Sequence, residues 1–226
     1  MTKLEILITG DGSTSFFHPE LDETYHSRHG AIQEAVHVFI KTGLEHSIQQ
    51  NNLKQISIFE MGFGTGLNCL LTDLWSLENS FTINYSGIEN TVLSDEQIDS
   101  CNYVERLNDK NAAEIFNKIH TSQWNEETTI SADFKLTKIE SDIEEFKSSK
   151  KFDLIYFDAF GPRVQPFLWE ITVLKKMYEL LNSGGFFVTY CAKGSVRRTL
   201  IELGFEVERL PGPPGKREML RARKVA

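Results

Sequence analysis

The sequence predicts an α/β fold: an open, mainly parallel sheet with helices on both faces, preceded by an N-terminal β-hairpin. Three observations predict it. Short apolar runs alternate with amphipathic helical patterns along most of the 226 residues. One run, Ile56-Ser57-Ile58-Phe59, leads into Glu60 and a glycine loop, Gly62-Phe63-Gly64-Thr65-Gly66, that opens a helical pattern. Two further runs end in carboxylates, Glu89 and Asp158, and carboxyl strand ends are where open α/β sheets bind ligands.

In chain order, Leu4–Ile8 and Thr14–His18 read as a hairpin around Gly10-Asp11-Gly12. Residues 30–49 carry Ile32, Ala35, Val36, Phe39, Ile40 and Leu44 at helical spacing. The glycine loop and a helix over Leu67–Leu77 follow, then a buried strand over Thr82–Ile88. Residues 94–120 are polar and helical, and Ser94 with Gln97 forms a capping box. Phe134–Ile139 alternates weakly as a strand, and Asp142 precedes a short helical stretch to Phe146. Phe152–Phe157 is a buried strand. Trp169–Leu181 is an amphipathic helix ended by Asn182-Ser183-Gly184-Gly185. Phe186–Tyr190 is a strand, Ser195–Leu203 a helix, and Phe205–Leu210 a strand; a stiff Pro/Gly turn precedes a last strand over Met219–Ala222. No repeat or long linker divides the chain, so 1–226 reads as one domain, with 1–50 as an extension and 51–226 as the core.

Composition narrows the class. No apolar run approaches the ~18 residues of a membrane span, and Met1-Thr2-Lys3-Leu4-Glu5 lacks a signal-peptide core. Cys69, Cys101 and Cys191 are few, odd in number and widely spaced, which predicts reduced thiols in a cytoplasmic protein and no zinc site. Cys69 and Cys191 fall in apolar segments and read as packing residues. The formal charge of −8 argues against nucleic-acid binding by the whole surface. The charge is uneven: Lys193–Ala226 carries nine basic and four acidic residues, the remainder 15 basic and 28 acidic. A localised polyanion site is compatible with that asymmetry, as is a solvated basic helix and hairpin.

The motifs carry the chemistry. Alternate glycines let the backbone turn sharply and approach a ligand closely, and the helix start beyond them offers unpaired N–H groups. The spacing is G-x-G-x-G after an acidic residue, rather than the G-x-G-x-x-G of dinucleotide folds. It resembles the loop of S-adenosylmethionine-dependent methyltransferases with a Rossmann-like sheet. Glu89 follows at a spacing suited to ribose hydroxyls. Tyr156-Phe157-Asp158-Ala159-Phe160-Gly161-Pro162 places a carboxylate beside the expected cofactor and an aromatic face next to it. Methyl transfer from a sulfonium to an amine is an in-line displacement; a carboxylate can hold the amine, aim its lone pair and accept its proton. Phe160 offers a stacking face for a base. The same residues also suit ordinary turns, with Asp158 as a cap.

Five ordered segments resemble the tRNA methyltransferase domain of the MnmC family: Asp11-Gly12-Ser13 with Tyr25-His26-Ser27-Arg28-His29-Gly30-Ala31; Phe59 to Asn68; Tyr156 to Pro166; Cys191-Ala192-Lys193-Gly194; and Pro211 to Ala222. The resemblance implies a Rossmann-like class I methyltransferase fold. It also implies methylation of the aminomethyl group of wobble 5-aminomethyl-(2-thio)uridine, giving 5-methylaminomethyl-(2-thio)uridine in tRNA. Glu60, Gly62, Gly64 and Asn68 match the family's methionine-end and loop contacts, Glu89 the ribose carboxylate, and Asp142 the adenine-side acid. Asp158 matches the catalytic carboxylate. Tyr25 to His29 is expected to fold over the pocket, with Arg28 pairing with the cofactor carboxylate or an RNA phosphate; the roles of His26 and His29 are left open. Lys193, Lys216 and Arg217 are expected tRNA phosphate contacts. Bifunctional family members continue into an FAD-dependent oxidoreductase domain; this sequence resembles a stand-alone methyltransferase, for which no flavin is expected. Two other readings fit the motifs: an aminopropyltransferase of the polyamine synthase type, and a non-catalytic adapter that binds nucleoside or RNA.

Overall fold

The computed structural model describes residues 4–225. Met1, Thr2 and Lys3, where the sequence shows no signal-peptide core, and Ala226 lie outside the described residues.

The chain opens with a three-stranded antiparallel sheet, β1 (Glu5–Ile8), β2 (Thr14–His18) and β3 (Glu23–Thr24). The expected hairpin is present, and the two-residue β3 extends it. Asp11 locks the turn: its carboxylate accepts from the Ser13 N–H (3.0 Å) and the Thr9 hydroxyl (2.8 Å), and from the Gln33 N–H (3.0 Å) in the following helix. That helix runs through α1 (Ala31–Ala35), a π-helical stretch Val36–Glu45, and α2 (His46–Asn51). π-Helical turns are uncommon. Here Gly43 lies close against the sheet, where a Cβ would meet Val188 at 3.0 Å.

Eight strands form the main sheet, in the order β10-β11-β9-β8-β4-β5-β7-β6. They are β4 (Gln55–Met61), β5 (Thr82–Glu89), β6 (Glu127–Ser131), β7 (Phe134–Glu140), β8 (Phe152–Phe157), β9 (Leu181–Thr189), β10 (Phe205–Pro211) and β11 (Glu218–Lys224). The five strands from β9 to β7 are parallel to one another; β6 at one edge and the β10–β11 hairpin at the other are antiparallel. Alternate residues feed two cores. Leu154 and Tyr156 pack under the N-terminal helix and α3 (Leu67–Asn79), whereas Ile155 and Phe157 pack under α7 (Ile171–Leu180) and α8 (Gly194–Glu202). Both faces are therefore covered, and each fully buried large apolar side chain contributes about 2 kcal/mol.

Four local expectations are corrected. The 94–120 segment is three helices, α4 (Asp95–Asp99), α5 (Tyr103–Leu107) and α6 (Ala112–Thr121), with Asn108 left-handed at φ 50° ending the second. The Ser94–Gln97 capping box does start the first. The Asp142–Phe146 stretch is a turn and not a helix. Asn182-Ser183-Gly184-Gly185 lies inside β9 and not in a loop: Asn182 Nδ2 donates to Asp153 at 2.7 Å, Asn51 Nδ2 to the Gly184 carbonyl at 3.0 Å, and the irregular pairing with β8 accommodates Gly184 at φ 79°. Finally, β6 adds a strand beyond those expected; Glu127-Thr128-Thr129-Ile130-Ser131 is a polar edge strand with a single buried side chain, Ile130. The three cysteines are buried and unpaired, and Cys69 is wholly enclosed. Among the described residues no helix is long and apolar enough to cross a membrane.

Candidate active site

At the centre of the sheet β4 is flanked by β5 on one side and β8 on the other, and the carboxyl ends of the three strands open into a cleft of about 940 Å³, counting its mouth. This is the switch point at which open α/β sheets bind ligands.

The glycine loop forms one wall. Gly62 (φ 88°) and Phe63 donate their N–H groups to the Ile88 carbonyl at 3.2 and 3.1 Å, and Asp158 N–H donates to the Met61 carbonyl at 2.9 Å. The loop is thus tied to both neighbouring strand ends. A Cβ on Gly62 would meet the Asp158 carbonyl oxygen at 2.8 Å. Gly66, left-handed at φ 72°, starts α3.

Glu89 stands across from the loop. One oxygen accepts from the Gly64 N–H at 3.0 Å, the other from the N–H groups of Asn90 and Thr91, both at 3.0 Å. Burial raises its pKa, and these backbone donors oppose the rise. Asp142 lines the cleft beyond it, its carboxylate fixed by the Glu144 N–H at 2.8 Å.

Asp158 lies at the floor, half-buried at the end of β8. Asn68 Nδ2 donates to it at 2.8 Å and to Glu60 Oε1 at 2.8 Å, so one amide bridges two carboxyl groups. Burial and the neighbouring Glu34 push the Asp158 pKa up to about 7, against the opposing effects of Asn68 and Lys216. Glu60 differs from its expected place. It is 1% exposed and does not line the cleft. Burial lifts its pKa well above the ordinary carboxylate range, against the Asn68 hydrogen bond, with the Asp158 charge adding to the rise. Glu60 therefore sits behind Asn68 and orients its amide. The strand-end rule places it at the correct edge, but its side chain is enclosed beneath Asn68 of α3.

Aromatic rings line the cleft mouth. Tyr25 packs edge-on to Phe160 (5.1 Å, 85°) and to Phe16 (5.9 Å, 81°), and burial, aided by Glu89, pushes the Tyr25 pKa up to about 12. Tyr25 and His26, from the segment after β3, both line the cleft. Arg28 from the same segment is exposed, with its guanidinium 5.6 Å from the Phe17 ring centre, and does not line the cleft. The expected pairing of Arg28 with the cofactor carboxylate is not supported by this placement. His26 is held neutral: burial drives its pKa down to about 4, although the Glu34 charge opposes this. His29 is exposed on the outer side, against Gly215.

Of the three expected phosphate contacts, Lys193 and Arg217 stand away from the cleft. Lys216 is not free: it is ion-paired with the buried Glu34, and its Nζ lies 3.7 Å from the centre of the Tyr190 ring. Sequence reasoning missed Glu34, Tyr190 and His18. A signal existed for the first two. Glu34 occupies the apolar stripe Ala31, Ala35, Val38, and Tyr190 follows an apolar strand at its carboxyl end. His18, at the end of β2, carries no motif.

An α/β sheet that gathers a glycine loop, an acidic strand end and a half-buried carboxylate at one cleft has the layout of a nucleotide-cofactor site. A family model described as S-adenosyl-L-methionine-dependent methyltransferase matches residues 103–225. The chain is 29% identical over 209 residues to a protein of Hydrogenovibrio crunogenus named tRNA 5-methylaminomethyl-2-thiouridine biosynthesis bifunctional protein MnmC, covering 88% of this chain and 31% of that one. It is 28% identical over 232 residues to the protein of the same name from Cupriavidus metallidurans, covering 97% and 34%. The crystal structure of MNMC2 from Aquifex aeolicus superposes with a TM-score of 0.80 and 26% identity, covering all of this chain and 72% of that one. The chain spans about a third of the length of the curated relatives it matches. The chain belongs to the S-adenosyl-L-methionine-dependent methyltransferase family, and S-adenosylmethionine is its cofactor. Neither the aminopropyltransferase nor the adapter reading is favoured by these similarities.

Proposed function

We propose that the protein N-methylates the aminomethyl group of wobble 5-aminomethyl-(2-thio)uridine in the anticodon loop of tRNA, giving 5-methylaminomethyl-(2-thio)uridine. The observation that carries this reading is the Asp158 carboxylate, half-buried at the cleft floor beside Phe160 and Tyr25. The biosynthetic names of the curated relatives point to the same product. We assign residues 1–226 to a single working domain, acting in the cytoplasm where tRNA is found, with no flavin taking part in the step.

The site fits S-adenosylmethionine. The loop at Gly62 and Gly64 leaves a cradle that a Cβ at Gly62 would disrupt, and it opens onto the cleft. Gly62, Gly64 and Asn68 would hold the methionine end, Glu89 the ribose hydroxyls and Asp142 the adenine side. When bound, the cofactor supplies an electrophilic methyl group. Phe160 and Tyr25 stack on or flank the flipped-out uracil, as single-stranded RNA recognition commonly requires. Asp158 would hold the acceptor amine by its N–H bonds, aim the nitrogen lone pair and receive the proton that the nitrogen sheds as the N–C bond forms and the methyl–sulfur bond breaks, the thioether leaving with that electron pair. A pKa near 7 leaves the carboxylate available at neutral pH and makes it an effective proton acceptor there. Asn68 keeps it in place.

Lys193 and Arg217 are proposed contacts to tRNA phosphates, with Arg28 on the outer rim. The double variant Lys193→Ala/Arg217→Ala is expected to weaken tRNA binding and to flatten the dependence of log Kd on log salt by about 0.7–0.9 for each phosphate no longer neutralised. A filter-binding salt series measures this, and an unchanged slope moves the RNA site elsewhere. Glu89→Ala is expected to reduce S-adenosylmethionine affinity by about tenfold or more, since the ribose hydroxyls are deprived of a charged acceptor worth roughly 1.5–3 kcal/mol; calorimetric titration reads it out, and unaltered affinity removes the ribose assignment.

The reaction itself is tested by transfer of labelled methyl from S-adenosylmethionine to tRNA from cells lacking this activity, followed by nucleoside analysis. A methylaminomethyluridine product supports the proposal. No transfer despite tight cofactor binding overturns the acceptor.

A further inference from the structure

Two segments from opposite ends of the chain meet beside Asp158, and they are joined by an ion pair. Glu34 of α1 and Lys216 of the turn between β10 and β11 are paired, 182 residues apart in sequence. The pair is fixed on every side. Glu34 Oε2 accepts from the Ser27 N–H at 2.9 Å, anchoring the segment that carries Tyr25 and His26. The Lys216 ammonium rests on the Tyr190 ring at 3.7 Å, a cation–π contact. The Tyr190 hydroxyl in turn donates to the Ala159 carbonyl at 2.9 Å, on the residue next to Asp158. Glu34 is buried and Lys216 is less than one-third exposed, so solvent screens the pair weakly. A cation held this way is poorly placed to reach an RNA phosphate.

The geometry points to Glu34 and Lys216 as a positioning pair of opposed charges that tunes the protonation of the half-buried Asp158, with Lys216 serving the carboxylate and not the tRNA backbone. This rests on the proposed role of Asp158. The groups that bear on Asp158 come from each packed element: Glu60 from β4, Asn68 from α3, Glu34 from α1, Tyr190 after β9 and Lys216 from the turn, with His26 facing the pair itself. Only Glu34 and Lys216 are opposite unit charges in contact. The negative charge of Glu34 favours the protonated Asp158 carboxyl, and the positive charge of Lys216 favours its ionised form, which fits their opposing influence on Asp158. A paired design leaves the carboxylate titrating near the pH at which it works; removal of either partner unbalances it.

The consequence has a sign. Lys216→Met is expected to raise the titration midpoint of the Asp158 carboxyl, and Glu34→Gln to lower it, each by about half a pH unit or more. The double variant Glu34→Gln/Lys216→Met, which buries no unpaired charge, returns it to within ~0.3 units of wild type, and Lys216→Arg keeps the wild-type midpoint. A pair without electrostatic reach to Asp158 would not produce shifts of opposite sign. The measurement is ¹³C NMR titration of the protein labelled at aspartate carboxyls, with Asp158→Asn to assign the signal; it needs no substrate. Midpoints that stay fixed, or that move in the same direction in both single variants, overturn the inference. If Lys216→Met proves unstable, Glu34→Gln and the double variant carry the same test. A fixed midpoint with weakened tRNA binding in Lys216→Met gives the lysine to RNA and overturns the pair's role. Where methyl transfer to tRNA is present, the acid limb of kcat/KM follows the NMR midpoints. Opposed midpoints without any transfer uphold the pair while overturning the proposed reaction.

Discussion

Asp158→Asn is expected to lose turnover by about 10²–10⁴-fold, the usual contribution of a positioned proton acceptor, while binding S-adenosylmethionine within about threefold of wild type. The asparagine keeps the shape of the side chain and can still accept from Asn68, so the loop and cleft remain in place. Single-turnover methyl transfer and calorimetric cofactor titration separate the two effects. Near-normal turnover would remove Asp158 from the chemistry; a fall in cofactor affinity in step with turnover would make it a scaffold residue. The variant also carries a stability signature. The Asp158 pKa of about 7 lies above the ordinary carboxyl value of 3.8, so between those limits the folded state binds more protons than the unfolded one. Stability contributed by this group is therefore present at low pH and is lost as pH rises towards 7. Asn titrates at neither end. Asp158→Asn should accordingly be more stable than wild type at pH 8, by roughly 1–3 kcal/mol, with the advantage shrinking as pH falls. Chemical denaturation at pH 5 and pH 8 checks the sign.

Gly62→Ala is expected to have the second-largest effect, at least about tenfold in cofactor affinity and about 2 kcal/mol or more in stability. Two penalties act together. At φ 88° a non-glycine residue is strained, and the added methyl meets a main-chain oxygen, that of Asp158, at 2.8 Å. Backbone cannot swing aside as a side chain can, so the loop and the β8 end must separate, carrying the Asp158 carboxylate with them. Thermal unfolding and cofactor titration read the two parts. A stable Gly62→Ala protein with full affinity would mean that the loop has slack that the hydrogen bonds to Ile88 and Met61 do not suggest.

Much of this architecture is legible because period-2 and period-3.6 burial leave marks in sequence. The strands at Phe152–Phe157 and Thr82–Ile88 are buried on both faces and appear as apolar runs. The edge strand β6 is polar because it has one covered side chain, and an edge strand without a hydrophobic stripe looks like a loop. The end of α7 is hard to place because Asn-Ser-Gly-Gly is both a helix stop and a tolerable irregularity in a strand whose Asn182 bonds Asp153. At the site, glycine spacing and strand-end acids point to Gly62, Gly64, Glu89 and Asp158, all of which line the cleft. Depth is what the pattern does not carry. Sequence places Glu60 and Asp158 alike at strand ends, but whether such a side chain faces the cleft or the core depends on how neighbouring helices cover the sheet. The Glu34–Lys216 pair is hidden for a different reason: local pattern rules cannot see a contact across 182 positions.

The antiparallel insertion of β11 between β9 and β10 has a consequence for how the protein is made. During synthesis the glycine loop, Glu89 and Asp158 all emerge while the strand that completes this side of the sheet is still being translated. The turn bearing Lys216 cannot dock against α1 until that strand follows it. At a translation rate of ~5–20 residues per second, the span from Asp158 to β11 takes seconds to synthesise, and over that time the Glu34 carboxylate lacks its counter-ion. The Glu34–Lys216 contact is therefore a late event of folding, made only once both ends of its 182-residue span have left the ribosome.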